Sequence, residues 1–155
     1  IDPERLQAFG IGAGQVLECA FVVYNPDAKL RCLGVPAEVL EQHNLTSEAV
    51  ALAMARGALE RCDANVAIAN TGVADDSDPD IPPGTQCYAW IFNDGGHSRE
   101  FSATHRFDGD RNAVREASAD HALRRLPEFH AQLSDASQPS AGRDEPLDKE
   151  TRHER

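Results

Sequence analysis

The chain has 155 residues, with 26 acidic side chains against 15 basic ones and a formal net charge of −11. That length allows one ordinary domain with or without a tail, and that charge excludes a protein built to grip a phosphate backbone, which needs a basic footprint. No apolar run approaches the ~20 residues that span a bilayer and no secretory leader is visible, so the reading is a cytoplasmic protein whose partners are neither nucleic acid nor membrane.

Isoleucine, leucine, valine and phenylalanine supply 32 residues, but only one of them lies in residues 134–155. That stretch, SDASQPSAGRDEPLDKETRHER, cannot bury enough surface to offset chain entropy. It is expected to be a disordered acidic and polar tail on a domain of residues 1–133. The four cysteines, at positions 19, 32, 62 and 87, are spaced too widely for a Cys-x-x-Cys site and read as reduced thiols.

In chain order, Val16–Tyr24 (VLECAFVVY) is rich in β-branched and aromatic residues and predicts a strand. Asn25 suits a helix cap and Pro26 the first helical position, which predicts a short helix to Gly34. A second short helix follows Pro36 and ends near Asn44. Ser47 caps a longer one through Arg61, with Val50, Met54 and Ala58 on one side. Asn65–Asn70 predicts a short buried strand, and residues 71–84 a loop. Thr85–Phe92 and Arg99–Phe107 predict two strands joined around Asp94-Gly95-Gly96, a hairpin signal. Asp110 caps a last helix that Pro127 is expected to end or kink. Helices between strands argue for an α/β fold, a three-layer α/β/α sandwich on a mixed sheet that includes an antiparallel hairpin.

The residues that carry chemistry are few. Only two lysines, Lys29 and Lys149, stand among the 15 basic residues, and Lys149 is in the tail. Arginine cannot give up its proton at neutral pH, whereas a desolvated lysine can, so Lys29 is either a general base or an ordinary solvated helix lysine. Thr71 and Gly72 follow a strand, at the end where open α/β sheets place ligands. Tyr24 and Asn25 could line the same crevice, although Asn25 also reads as a plain cap. Arg111 and Arg115 lie four apart at the start of the last helix, where a phosphate could be held. Asp76-x-Asp78-x-Asp80 begins like a calcium loop, but Ile81 and Cys87 stand where glycine and glutamate are needed. The six histidines show no ligand spacing, so neither a metal nor a cofactor is expected.

Five stretches in register, GAGQVLECAFVVYNPDAKLRCLGVP (12–36), TSEAVALAMARGALER (46–61), NVAIANTGVA (65–74), PPGT (82–85) and HRFDGDRNAVREAS (105–118), resemble the C-terminal domain of the CinA family. These are nicotinamide-nucleotide amidohydrolases, also called NMN deamidases. The resemblance implies hydrolysis of nicotinamide mononucleotide to nicotinic acid mononucleotide and ammonia, by a serine nucleophile with a lysine and a threonine. Lys29, in Tyr24-Asn25-Pro26-Asp27-Ala28-Lys29, and Thr71, in Thr71-Gly72-Val73-Ala74, match the catalytic positions. Tyr24, Asn25, Gly72, Arg111 and Arg115 are the corresponding substrate-binding candidates.

Two departures qualify that expectation. The family's E-S-C-T-G-G segment would fall before Ile1, and the first serine of the chain is Ser47. The glycine loop after the threonine is replaced by Ala74-Asp75-Asp76-Ser77-Asp78-Pro79-Asp80, whose carboxylates would repel a phosphate. A start at isoleucine suggests a processed or truncated chain, which would restore the enzyme reading. The chain as it stands is expected to be inactive. The alternative is a pseudoenzyme of the same fold that binds a nucleotide or a protein, and loss of an early strand would favour homo-oligomers.

Overall fold

A computed structural model describes residues 16–94 and 97–135. Helix α1 spans Pro26–Leu33, α2 spans Ala37–Gln42 and α3 spans Glu48–Leu59. Strands β1 (Val66–Gly72), β2 (Thr85–Asp94) and β3 (His97–Arg106) follow, and α4 runs from Arg111 to Asp135. The strands form one antiparallel sheet in the order β1-β2-β3, with α3 on one face and α4 on the other. The expected α/β layering and its hairpin are therefore present; the turn at residues 95–96 lies outside the described residues.

The caps act as the sequence implies. The Asn25 side chain accepts from the Ala28 N–H at 2.7 Å, and Ser47 Oγ from the Val50 N–H at 3.3 Å, each satisfying one of a helix's orphan donors. Gly34 ends α1 at φ 63°, a left-handed conformation that favours glycine.

The two faces of the sheet carry different residues because side chains alternate along a strand. Ala67 and Ala69 of β1 and Ala89 and Ile91 of β2 face α3, whose buried positions include Val50, Ala51, Met54 and Ala55. Small residues on both sides let helix and sheet approach closely. Val66, Ile68, Tyr88, Trp90 and Phe92 face α4 and form an aromatic layer with Phe101 and Phe129. Trp90 is fully buried, and its indole N–H donates to the Ala122 carbonyl at 2.8 Å. Phe129 packs 4.3 Å from the Phe101 ring and 4.9 Å from that of Trp90, centroid to centroid.

Pro127 does not end the last helix, which continues to Asp135. Proline removes one backbone bond, but Leu126, Phe129 and Leu133 on either side of it pack against the aromatic layer and hold the helix together across the gap. Ser134 and Asp135 thus belong to α4 rather than to a tail. The rest of the proposed tail, residues 136–155, lies outside the described residues.

Val16–Tyr24 is the principal departure. The segment from Leu17 to Tyr24 joins no ladder, so the described sheet is antiparallel throughout rather than mixed. β-propensity measures fit to a pleated surface beside a partner strand, and no described strand lies beside this one. Only Val23 is buried; Val16, Phe21, Val22 and Tyr24 are exposed, Val22 by 90%. The free edge of β1 is equally unpartnered among the described residues. Asn93 N–H bonds the Asn65 carbonyl at 2.8 Å and Val73 N–H bonds the Thr85 carbonyl at 2.9 Å, so odd-numbered peptide groups face β2. Those of Val66, Ile68, Asn70 and Gly72 point the other way. Near the start of this edge a groove of about 710 Å³ opens between Leu17, Val66, Phe92 and Leu126.

Gly57 marks the tightest helix contact, where a Cβ would run into the Leu33 carbonyl oxygen. Alanine gains roughly 1 kcal/mol of helix propensity over glycine, but forcing α1 from α3 costs about 1–3 kcal/mol or more. Gly57→Ala should therefore lower the thermal midpoint, as read by circular dichroism; a higher midpoint would show that α1 yields freely.

Candidate functional site

The site is assembled at the junction of the extended segment, α1 and the start of α4. Pro26 and the Asn25 cap set the phase of α1, and that phase turns Lys29 and Leu33, one helical turn apart, inward. Lys29 is only 5% exposed, and its Nζ donates to the Val23 carbonyl at 2.7 Å. The bond holds a peptide group that has no strand partner. Burial pushes the Lys29 amine below its usual 10.5, the direction a general base requires. Because the folded chain gives up this proton more readily, the unfolded state binds more protons between the depressed value and 10.5. Stability from this group therefore rises with pH across that window, and burying the charge weighs against folding below it.

Next along the chain, Tyr24 is 81% exposed and its hydroxyl accepts from Arg111 Nη2 at 2.9 Å. The other guanidinium nitrogen of Arg111 donates to Asp75 Oδ2 at 2.6 Å. Hydrogen bonds to Tyr24 and then to Asp75 raise the Arg111 value further. Hydrogen bonds from Ser77 and then from Arg111 hold the Asp75 carboxyl below the usual carboxylate range. Arg115, one turn on, is exposed and has no partner among the described residues. Asp110 caps α4, accepting from the N–H groups of Asn112 and Ala113 at 2.9 Å each. The helix terminus expected to hold a phosphate is thus already served by one carboxylate, and its first arginine by another.

Thr71 faces the α3 side of β1, half-buried, and its hydroxyl donates to the Leu45 carbonyl at 2.8 Å. It ties the strand end to the loop before α3 and shares no hydrogen bond with Lys29. Gly72 lies where a Cβ would collide with the Gln86 side chain. Asn25 serves as the helix cap. The structure therefore joins Tyr24 to Arg111, and both to Lys29 through the Val23–Tyr24 peptide, while Thr71 and Gly72 stand apart at the end of β1.

Three features were not visible in the sequence. Asp75 was read as part of a repelling run, not as the specific partner of Arg111. Asp78, expected to face a phosphate, instead accepts from Asn44 Nδ2 at 3.2 Å and from the Asp80 N–H at 2.9 Å. On the opposite face, Ser118 Oγ lies 2.7 Å from the Tyr88 hydroxyl and 3.2 Å from Asn70 Oδ1, and Asn70 Nδ2 donates to Gln86 Oε1 at 3.1 Å. Burial pushes the Tyr88 hydroxyl up to about 12, against the opposing Ser118 bond. Such partners are 16 to 48 residues apart, and the β1–β2 register together with α4 packing on that face brings them together. Among the described residues no group of three or more His, Cys, Asp or Glu could hold a metal ion. No described helix is long and apolar enough to cross a membrane.

With two lysines in the chain, competitive amine labelling read by peptide mass spectrometry can follow Lys29 individually. Its pH midpoint should fall below 10.5 in the folded chain and return to that value in denaturant. An unshifted midpoint would place the amine in water.

The family model for the CinA C-terminal domain matches residues 8–130. A competence-damage inducible protein of Symbiobacterium thermophilum is 41% identical over 123 residues, covering 72% of this chain and 28% of its own length. A CinA-like protein of Mycobacterium tuberculosis is 40% identical over 119 residues, 74% of this chain and 27% of that one. The chain thus spans less than a third of the curated relatives it matches. Among solved structures, the competence/damage inducible protein CihA from Agrobacterium tumefaciens superposes with a TM-score of 0.68 at 33% identity, over 79% of this chain and 74% of that one.

Proposed function

The chain belongs to the CinA C-terminal domain family, and on that premise we propose that it carries the lysine-bearing part of a nicotinamide-nucleotide amidohydrolase site. The observation that supports this most is Lys29. It is a buried amine with its proton affinity lowered by desolvation, at the position the family resemblance assigns to the catalytic lysine. In the family's reaction a serine attacks the carboxamide carbon and ammonia leaves. Lys29 would take the serine proton and pass it toward the departing nitrogen. Thr71 would accept a hydrogen bond on its free lone pairs, and Tyr24 would line the entrance. No serine precedes Ser47, which caps α3, and among the described residues Lys29 bonds a backbone carbonyl rather than a hydroxyl nucleophile. Negligible ammonia release from nicotinamide mononucleotide is the expected result. Sustained turnover abolished by Lys29→Ala would reveal another nucleophile.

A second reading is a nucleotide-binding module without turnover, in which the Arg111–Asp75 pair limits affinity. A ligand phosphate would have to displace Asp75 from Arg111, so binding should be weak, with a dissociation constant on the order of a millimolar or poorer. Asp75→Asn should tighten it several-fold, more at low salt than at high, because the competing charge is exposed. Asp80→Asn should change it little. Calorimetric titration of the three proteins with nicotinamide mononucleotide at two salt concentrations is the measurement. Equal affinities across the three would place the phosphate away from Arg111.

A further inference from the structure

Cys19 and Cys62 are 43 positions apart in the sequence, yet each is next to one partner of the Glu18–Asp63 bond, and the Cys62 thiol is near enough to raise that of Cys19. Cys19 lies in the extended segment, and Cys62 lies just beyond α3 with its Sγ donating to the Ala58 carbonyl at 3.2 Å. The approach is fixed by the residues beside them, since Glu18 Oε1 accepts from the Asp63 N–H at 2.9 Å. Cys19 is exposed and Cys62 partly so, which leaves the pair open to a small reagent. The other cysteines differ: Cys32 is exposed on α1, and Cys87 is buried with Sγ 3.5 Å from Thr104 Oγ1.

We propose that Cys19 and Cys62 form a reversible disulfide that clamps the segment Leu17–Tyr24 to the end of α3. The oxidant is a low-molecular-weight disulfide. The thiolate of one cysteine attacks a sulfur of the reagent, breaking its S–S bond and releasing one reagent thiolate. The second cysteine's thiolate then attacks the mixed disulfide, forming the Cys19–Cys62 bond and releasing the other. Two electrons and two protons pass from the protein to the reagent, which leaves as two thiols. Partial desolvation beside the chain, the neighbouring Cys62 and the Glu18 charge raise the exposed Cys19 thiol, so exchange accelerates as the solution is made more alkaline.

The clamp matters because of what the segment carries. Val23 supplies the carbonyl that holds Lys29, and Tyr24 holds Arg111. A bond at Cys19 shortens the free length of a chain that no ladder restrains, so oxidation stiffens the entrance to the site whatever ligand it takes. It also closes the loop from residue 19 to residue 62, which restricts the unfolded chain.

The full chain is incubated with oxidised glutathione at increasing pH, alkylated, and mapped by mass spectrometry without reduction. A Cys19–Cys62 cross-linked peptide should accumulate and disappear on treatment with dithiothreitol. The oxidised chain should melt several degrees above the reduced one. Cys19→Ser and Cys62→Ser should each lose the cross-link and the gain in melting temperature, and retain glutathione on the remaining thiol. The proposal is overturned if the parent chain stops at the glutathione adduct, if Cys32 or Cys87 cross-links as readily, or if oxidation leaves the melting temperature unchanged.

Discussion

The bond from the Lys29 ammonium to the Val23 carbonyl holds together the part of the molecule on which the site depends. Residues 17–24 have the composition of a strand but join no ladder among the described residues, and the described contacts that keep them in place are a small number of side-chain anchors. Glu18 reaches Asp63, Val23 is buried and receives Lys29, and Tyr24 reaches Arg111. A charged amine is an expensive anchor, because burial removes it from water and its described partner is a carbonyl rather than a carboxylate. The same expense lowers its proton affinity, the direction any lysine acting as a base requires. Structure and chemistry thus draw on one desolvated group.

Charge shapes the surroundings of Arg111. The chain is strongly acidic, and the loop after β1 concentrates that charge next to the first turn of α4. The loop does not act as a uniform field. Its backbone folds through Asx-type bonds, from the Ser77 N–H to Asp75 at 3.2 Å and from the Asp80 N–H to Asp78, which aim Asp75 at Arg111 and Asp78 at Asn44. One carboxylate therefore neutralises the guanidinium best placed for an anion, while Arg115 stays open to solvent.

Local chemistry in the sequence was a good guide where the partners are local. Asn25 with Pro26, Ser47 and Asp110 announce three helix starts, and the register of β2 with β3 follows from alternation on either side of the Gly95-Gly96 pair in the sequence. Prediction failed where a distant partner decides the outcome. Val16–Tyr24 reads as a strand because valine and phenylalanine favour one, but a ladder requires a neighbour that local composition cannot supply. Pro127 reads as a helix end or a kink, and of the two the end is excluded, because the aromatic layer beneath it carries the helix through. Thr71 was placed correctly at a strand end, yet its hydroxyl bond to Leu45 follows from packing between β1 and the loop before α3. The family resemblance singled out Lys29, which was conspicuous in the sequence as one of two lysines in a chain that otherwise uses arginine. Its partner was not.

The central claim is that side-chain anchors, and chiefly Lys29, hold the site-bearing segment in place of a sheet ladder. Amide hydrogen exchange followed by NMR tests it most directly, comparing residues 17–24 with the central strand β2 in the parent chain and in Lys29→Met. The account predicts that amides of the segment exchange orders of magnitude faster than those of β2, and faster again in the variant while β2 keeps its protection. Protection of residues 17–24 equal to that of β2, unchanged by the substitution, would contradict it.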